Sequence, residues 1–117
     1  MQRDARAFLW DVRDAADAIA GFSKGRTFDD YAANLMLRSA IERQLKIIGE
    51  ALNRLSKIAP DVAARISELP RAIGLRNILI HGYDEIENAT IWSTVEVALP
   101  ELRAKVAALL DELGDVP

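Results

Sequence analysis

Apolar residues recur along most of the chain at spacings of three and four, the period of amphipathic α-helices rather than of strands. The first such stripe predicts a helix from Asp4 to Phe22, ended by Gly21 and the stretch Ser23-Lys24-Gly25. The face of this helix that turns toward the core is predicted to be Phe8, Val12, Ala15, Ile19 and Phe22.

A second and longer stripe begins near Thr27, which can cap a helix, and Asp30 completes something close to a capping box. We predict one continuous helix from there until Pro60, because proline cannot continue a helix interior. Gly49 lies inside it, and an interior glycine costs about 1 kcal/mol relative to alanine. We therefore expect another helix to approach closely at Gly49. The apolar face is predicted to be Tyr31, Leu35, Ile41, Leu45, Ile48, Leu52 and Leu55.

Two shorter helices follow. One is predicted from Pro60 or Asp61 to Ile66. The next covers residues 70–81, with Pro70 in its first turn and Gly82 as its natural terminator. Three apolar residues of this second helix are expected in the core, namely Ile73, Ile78 and Leu79.

A polar loop at 84–88 leads to the last helix, for which Asn88 is a good N-cap and Gly114 the end. Pro100 lies inside it, and we expect a kink or a break there. The whole pattern predicts an all-α fold, an up-and-down bundle of four main helices plus a short one, in one domain over residues 1–117.

Composition narrows the possible functions. Half of the 117 residues are hydrophobic, which fits a globular protein. Cysteine is absent, which excludes disulfides, zinc–thiolate sites and a thiol nucleophile, and is compatible with the cytoplasmic location that we expect. No apolar run is long enough to span a bilayer and no secretory peptide is visible, so we predict no membrane partner.

The charge balance sets a condition on any nucleic-acid ligand. The formal net charge is −3, which is a poor overall field for a polyanion. Any contact with RNA must therefore come from a local basic patch. The alternative is that the natural partner is a basic protein surface.

The richest chemistry lies in one stretch, residues 76–83, which contains the only histidine of the chain. His81 can both take and give a proton near neutral pH, and Arg76 can hold a phosphate by two hydrogen bonds. Asn77 and Tyr83 add a carboxamide and a phenol. These residue types predict chemistry on a phosphodiester: a base for the ribose 2′-hydroxyl, an acid for the leaving oxygen and a cation for the phosphorane.

Helix geometry indicates how these residues can cooperate. Asn77 and His81 are four apart and share a face, whereas Arg76 lies roughly 140° around the axis from His81. Arg76 and His81 of one helix therefore do not converge well on a small target. Two copies of the helix across a two-fold axis could bring both residues from both chains into one cleft, which favours a homodimeric site.

Three stretches together are similar to the HepT family, the toxins of the HEPN superfamily in its minimal-nucleotidyltransferase-associated branch. They are GLRNILIHGY at 74–83, IERQLKIIGEA at 41–51 and LPEL at 99–102. Their order and spacing agree with that family across nearly the whole chain.

The resemblance implies a HEPN helical bundle that forms an antiparallel homodimer, with the Arg–His motifs meeting in an interfacial cleft. It implies a toxin that cleaves RNA as a metal-independent endoribonuclease without a cofactor, paired with a small nucleotidyltransferase as antitoxin. Arg76 would stabilise charge, His81 would act as acid or base, and Asn77 would support them. Tyr83 would accept AMP groups from the antitoxin, which would block the cleft.

Two other functions are compatible with the same residues. In one, a non-catalytic helical dimer docks the nucleotidyltransferase or binds its nucleotide substrate. In the other, the protein is purely structural and His81 caps its helix, since a histidine in the last turn interacts favourably with the helix dipole.

Overall fold

The computed structural model describes residues 4–81 and 87–114. Regular structure in these two ranges is helical throughout, and no strand occurs there. The helices are α1 (Ala5–Ser23), α2 (Phe28–Ala33), α3 (Leu35–Ile58), α4 (Pro60–Ala63), α5 (Leu69–His81), α6 (Asn88–Ser93) and α7 (Leu99–Leu113), with a π-helical turn (Thr94–Ala98) between the last two.

The first helix agrees closely with its prediction. Asp4 is the N-cap of α1, and its carboxylate accepts a hydrogen bond from the backbone N–H of Arg6 at 2.8 Å. The predicted face is buried except for Phe22, in the last turn, whose side chain is 38% exposed. Leu9 and Ala16 are buried in addition, so the stripe that α1 turns toward the core is wider than predicted.

The second predicted helix is two helices. The capping box at its start is confirmed, because Thr27 Oγ1 accepts from the Asp30 N–H at 3.1 Å and Asp30 Oδ2 accepts from the Thr27 N–H at 2.9 Å. The prediction of one continuous helix was wrong, because Asn34 adopts an extended backbone and its side chain accepts from the N–H of Leu37 at 3.0 Å. Such a side chain offers the backbone an alternative to helical bonds. Leu35 is consequently 68% exposed rather than buried.

α3 is the centre of the core. It packs against both α1 and α5, and α1 also packs against α7. Tyr31 connects α2 to α6 through a tilted ring contact with Trp92, at 5.3 Å between ring centroids. Burial raises the pKa of Tyr31 to about 12. The other predicted core residues of the long stripe are confirmed as buried: Ile41, Leu45, Ile48, Leu52 and Leu55.

The last helical stretch shows how the chain accommodates Pro100. Instead of a break, the residues before it form the π-helical turn, in which the N–H of Leu99 bonds to the carbonyl of Thr94 five residues earlier. Proline lacks the N–H that a regular α-helix would use at this point. Asn88 is the first helical residue and Glu87 the N-cap, one residue before the predicted cap. The stretch ends as predicted at Gly114, whose φ is +83°.

The region around α5 differs from its prediction in several respects. α4 ends at Ala63, before the predicted Ile66, and α5 begins at Leu69, one residue before the predicted Pro70. Ile73 and Leu79 pack partly buried against the core, but Ile78 is 37% exposed, so its assignment to the core was wrong. The predicted terminator Gly82, Tyr83 and positions 84–86 of the predicted loop lie outside the described residues. Within the described ranges, no helix combines the length and the hydrophobicity that crossing a membrane requires.

Candidate active site

The predicted catalytic residues lie on α5, a helix with no fully buried residue. α5 packs mainly against α3. Its contact with the core comes from side chains that stay partly exposed, namely Leu69, Ala72, Ile73, Leu75 and Leu79. Much of its surface is therefore open to solvent, and Asn77 and His81 are both exposed.

A glycine fixes the distance between α3 and α5. A Cβ atom at Gly49 would lie 2.2 Å from the Cβ of Arg76 and 2.8 Å from the carbonyl oxygen of Ala72. Both distances are far below van der Waals contact, and Ala72 presents backbone that cannot swing away. The predicted close approach at Gly49 is therefore confirmed, and the backbone that it meets belongs to the helix of the motif.

The same approach places Arg76 beside a carboxylate. Its Nη2 lies 2.5 Å from Oε2 of Glu50, and its Nη1 donates to Oδ1 of Asn77 at 2.8 Å. The side chain is only 23% exposed. Each terminal nitrogen of a guanidinium has two N–H groups, so Arg76 keeps donors for a further acceptor while Glu50 and Asn77 restrict its orientation.

Glu50 is shared by two arginines. Its Oε1 accepts from Nε of Arg54 at 2.8 Å, a pair of the i,i+4 type on α3. The hydrogen bond from Arg54, followed by the positive charges of Arg76, Arg54 and Lys57, lowers the pKa of the Glu50 carboxyl below its ordinary value of 4.5. Glu50 is therefore ionised at neutral pH and fixes both guanidinium groups.

His81 occupies a different side of α5. It is the last residue of the helix and is exposed. The angle of roughly 140° between positions 76 and 81 turns Arg76 toward α3 and His81 away from it. Asn77 is four residues before His81 and therefore lies on the same face of α5. It also accepts a hydrogen bond from Arg76, so Asn77 links the face that contains His81 to the side that contains Arg76. Tyr83, the fourth predicted site residue, lies outside the described residues.

Beside Arg76 the surface forms a groove of about 390 Å³. Four cations and two carboxylates line it, together with apolar side chains that include Ile47 and Ile80. This is a local basic patch of the kind that an acidic protein needs for contact with RNA. The charged residues are Arg43, Lys46, Arg54, Arg76, Asp11 and Glu50.

Comparison with known proteins identifies the family. A sequence model of the family described as "HepT-like: Ribonuclease HepT-like" matches residues 12–109. This match covers most of the chain, including the long α3 and the motif on α5. The chain belongs to the HepT-like family.

Three relatives are similar to this chain over nearly their full lengths. "Putative RNase MJ1380" of Methanocaldococcus jannaschii is 34% identical over 107 residues, which is 90% of this chain and 95% of that protein. "Probable ribonuclease HepT" of Thermococcus cleftensis is 30% identical over 113 residues, 93% of this chain and 98% of that protein. "Putative RNase TTE0752" of Caldanaerobacter subterraneus is 30% identical over 109 residues, 92% of this chain and 95% of that protein. No solved structure matches the chain significantly.

Sequence reasoning missed Glu50, although Glu50 lies in a stretch that resembles this family. The available signal was the spacing of charged residues on α3, where Arg43, Lys46, Glu50 and Arg54 recur at intervals of three and four and so share one face. Among the described residues no group of three or more histidine or acidic side chains could hold a metal ion.

Proposed function

We propose that this chain is the toxin of a toxin–antitoxin pair and acts as a metal-independent endoribonuclease. Membership of the HepT-like family is the observation that supports this most directly, since the matching relatives are named as ribonucleases. The arrangement on α5 agrees with it, because the helix exposes His81 and presents a guanidinium at the edge of a basic groove.

In the proposed reaction, one imidazole removes the proton from a ribose 2′-hydroxyl. The 2′-oxygen attacks the adjacent phosphorus, and the bond from phosphorus to the 5′-oxygen breaks. A second, protonated imidazole gives its proton to that leaving oxygen, so that the products are a 2′,3′-cyclic phosphate and a 5′-hydroxyl. Arg76 stabilises the additional negative charge on the phosphorane, and Asn77 supports Arg76 through the hydrogen bond between them.

The need for two imidazoles suggests an antiparallel homodimer. This chain has one histidine, so a second one has to come from another copy. α5 is a suitable contact surface because it has no fully buried residue and exposes Ile78 and Ile80, at 37% and 48%. Packing of two α5 helices in a HEPN-like bundle would place Arg76 and His81 of both chains along one cleft.

Tyr83 is the proposed control point. A nucleotidyltransferase antitoxin would transfer AMP from ATP to the Tyr83 oxygen, with loss of the phenolic proton and release of pyrophosphate. Position 83 follows His81 by two residues. The attached phosphate would compete with the RNA phosphate for Arg76, and the adenosine would block the cleft.

The central test is cleavage of RNA in the presence of EDTA. The wild-type protein should cut, and His81→Ala and Arg76→Ala should each lower the rate by a factor of about 10² to 10⁴. Arg26→Ala is the matched control, because Arg26 is an exposed arginine in the turn before α2. Cutting that persists at the wild-type rate in both α5 variants would exclude the proposed site.

The proposed control by AMP has its own test. Co-expression with the cognate nucleotidyltransferase, followed by mass spectrometry, should show the mass of AMP on the peptide that contains Tyr83. Tyr83→Phe should remain unmodified and toxic under the same conditions. AMP on another residue, with Tyr83 unmodified, would contradict the assignment.

A further inference from the structure

Besides Arg76, the groove contains three cations for which the proposed chemistry has no role, namely Arg43, Lys46 and Arg54. Arg43 and Lys46 lie on α3 and line the groove together with Arg54 and Arg76. Arg43 is exposed and Lys46 is half-buried. Both side chains are therefore accessible to a ligand that occupies the groove.

The four cations differ in their partners. Glu50 forms ion pairs with Arg54 and Arg76, at 2.8 Å and 2.5 Å. In residues 4–81 and 87–114, no carboxylate forms an ion pair with Arg43 or Lys46. At one end of the groove, Glu50 neutralises positive charge. At the other end, no ion pair among the described residues compensates the positive charges of Arg43 and Lys46.

The spacing of these cations fits a linear polyanion. With a rise of 1.5 Å per residue, Lys46 lies roughly 6 Å and Arg43 roughly 10 Å along the α3 axis from Glu50. Along one nucleic-acid strand, phosphates are separated axially by about 3.4 Å in a duplex. The row from Arg43 to the Glu50–Arg76 pair is therefore long enough to contact more than one phosphate of a strand.

We propose that Arg43 and Lys46 form a phosphate-binding subsite for the RNA backbone, next to the scissile phosphate at Arg76. This inference rests on the proposed ribonuclease function. The subsite contacts phosphates and no base edges, so it contributes affinity and register without sequence preference. It also explains how a chain of net charge −3 binds RNA, since the contact is confined to one groove.

RNA is favoured over an acidic protein because the row of cations ends at Arg76. A ligand that follows this groove brings one of its charges to the guanidinium that the proposed reaction uses. Glu50 opposes phosphate and carboxylate alike at that end, so the preference for RNA rests on the reaction proposed for Arg76, which an acidic peptide does not undergo.

The test measures the salt dependence of binding. The probe is a fluorescein-labelled single-stranded RNA, and all proteins contain His81→Ala so that the probe is not cut. Arg43→Gln with Lys46→Gln should lower the slope of log Kd against log salt by about 1.4, since each phosphate contact on a single strand contributes about 0.7. If the groove variant and the parent protein bind equally at 1 M salt, this difference in slope makes the variant bind roughly 25-fold more weakly than the parent at 0.1 M salt.

Two control proteins complete the design. Arg26→Gln with Lys105→Gln removes the same charge at exposed positions outside the groove, and its slope should stay close to that of the parent protein. Arg43→Lys with Lys46→Arg keeps both charges and should also keep the slope, because a phosphate contact needs charge rather than one particular side chain. Urea unfolding of each variant confirms that the fold is intact.

The outcomes separate the subsite from the ribonuclease. Equal slopes in the groove variant and the Arg26/Lys105 variant would overturn the subsite, while RNA cleavage by the wild-type protein would leave the proposed function in place. Absence of both RNA binding and cleavage in the wild-type protein would overturn both. Equal binding of a poly-glutamate peptide, with the same loss in the groove variant, would overturn the assignment to RNA in favour of an acidic protein.

Discussion

α3 and α5 lie against each other but relate to the core in opposite ways. Eight residues of α3 are buried, whereas none of the residues of α5 is. α3 thus contributes most of its apolar side to the interior. α5 is held by partly exposed side chains, by the close contact at Gly49 and by the ion pair between Glu50 and Arg76.

The difference in burial means that the core side of α3 contributes mainly to stability, whereas α5 can expose reactive side chains. The buried side of a helix cannot present polar residues to a ligand, because an unpaired polar group in the interior is costly. α5 avoids this cost by leaving Asn77 and His81 exposed. α3 fixes its distance and orients its arginine. We therefore expect changes on the buried side of α3 to act mainly on folding, and changes on the open side of α5 or in the groove to act mainly on function.

The largest expected effect on the free energy of unfolding comes from the buried side of α3. Leu52 is 0% exposed, so Leu52→Ala should lower the free energy of unfolding by about 2–5 kcal/mol. Ile78→Ala, on α5, should lower it by only about 1 kcal/mol, because that side chain is 37% exposed. Urea unfolding at low protein concentration measures both. A cost at Ile78 as large as at Leu52 would show that α5 contributes to the core as much as α3 does.

The second effect concerns the contact between the two helices. Gly49→Ala should destabilise by about 1–3 kcal/mol, since the added Cβ overlaps Arg76 and the Ala72 carbonyl. Gly21→Ala is the matched control: nothing lies within 4 Å of its added Cβ, and it should stabilise α1 by about 0.5–1 kcal/mol. Thermal unfolding compares the two, and a stabilised Gly49→Ala would contradict the close packing.

A smaller effect is expected at the other glycine of this pair of helices. Gly74 lies on α5 with nothing within 4 Å of an added Cβ, so Gly74→Ala should stabilise the helix by about 0.5–1 kcal/mol. RNA cleavage and self-association of this variant test whether the open side of α5 is a contact surface. A stable Gly74→Ala protein with less activity and weaker self-association would indicate that a second copy packs there, whereas a destabilised one would show that α5 is covered within the chain.

The smallest effect on stability is the pH dependence at Glu50. Its folded pKa is lowered, so its contribution is complete above the ordinary value of 4.5 and is lost as pH falls through the lowered one. Glu50→Gln should therefore flatten the fall of unfolding free energy between about pH 5 and pH 3. Urea titrations across this range provide the measurement.

Asp17→Asn is the matched variant for Glu50→Gln. The pKa of Asp17 is also lowered, chiefly by its hydrogen bond from Arg103, and this ion pair lies away from α5. Asp17→Asn should also flatten the fall of unfolding free energy at acidic pH, but it should leave RNA cleavage at neutral pH unchanged. Glu50→Gln should reduce cleavage, because Arg76 is then no longer held in its orientation. Equal activity of the two variants would show that Glu50 does not position Arg76.

Sequence patterns predicted most helices because local features specify them. The capping box of Thr27 and Asp30 and the end at Gly114 depend on residues a few positions apart, and both predictions were confirmed. The break at Asn34 was missed because its cap competes with a continuous apolar stripe. The form of the irregularity at Pro100 was not predictable, because a kink, a break or a π-helical turn can each accommodate a residue without a backbone N–H.

The sequence alone determined the helical class, the expectation of a close contact at Gly49, and the resemblance that singled out Arg76, Asn77, His81 and Tyr83. The pairing of Arg76 with Glu50, and the groove that the cations of α3 form with Arg76, became visible in the folded chain. The physical reason is the range of the interactions. Periodicity and capping act between near neighbours, whereas an ion pair between two helices depends on their separation and rotation, which packing sets.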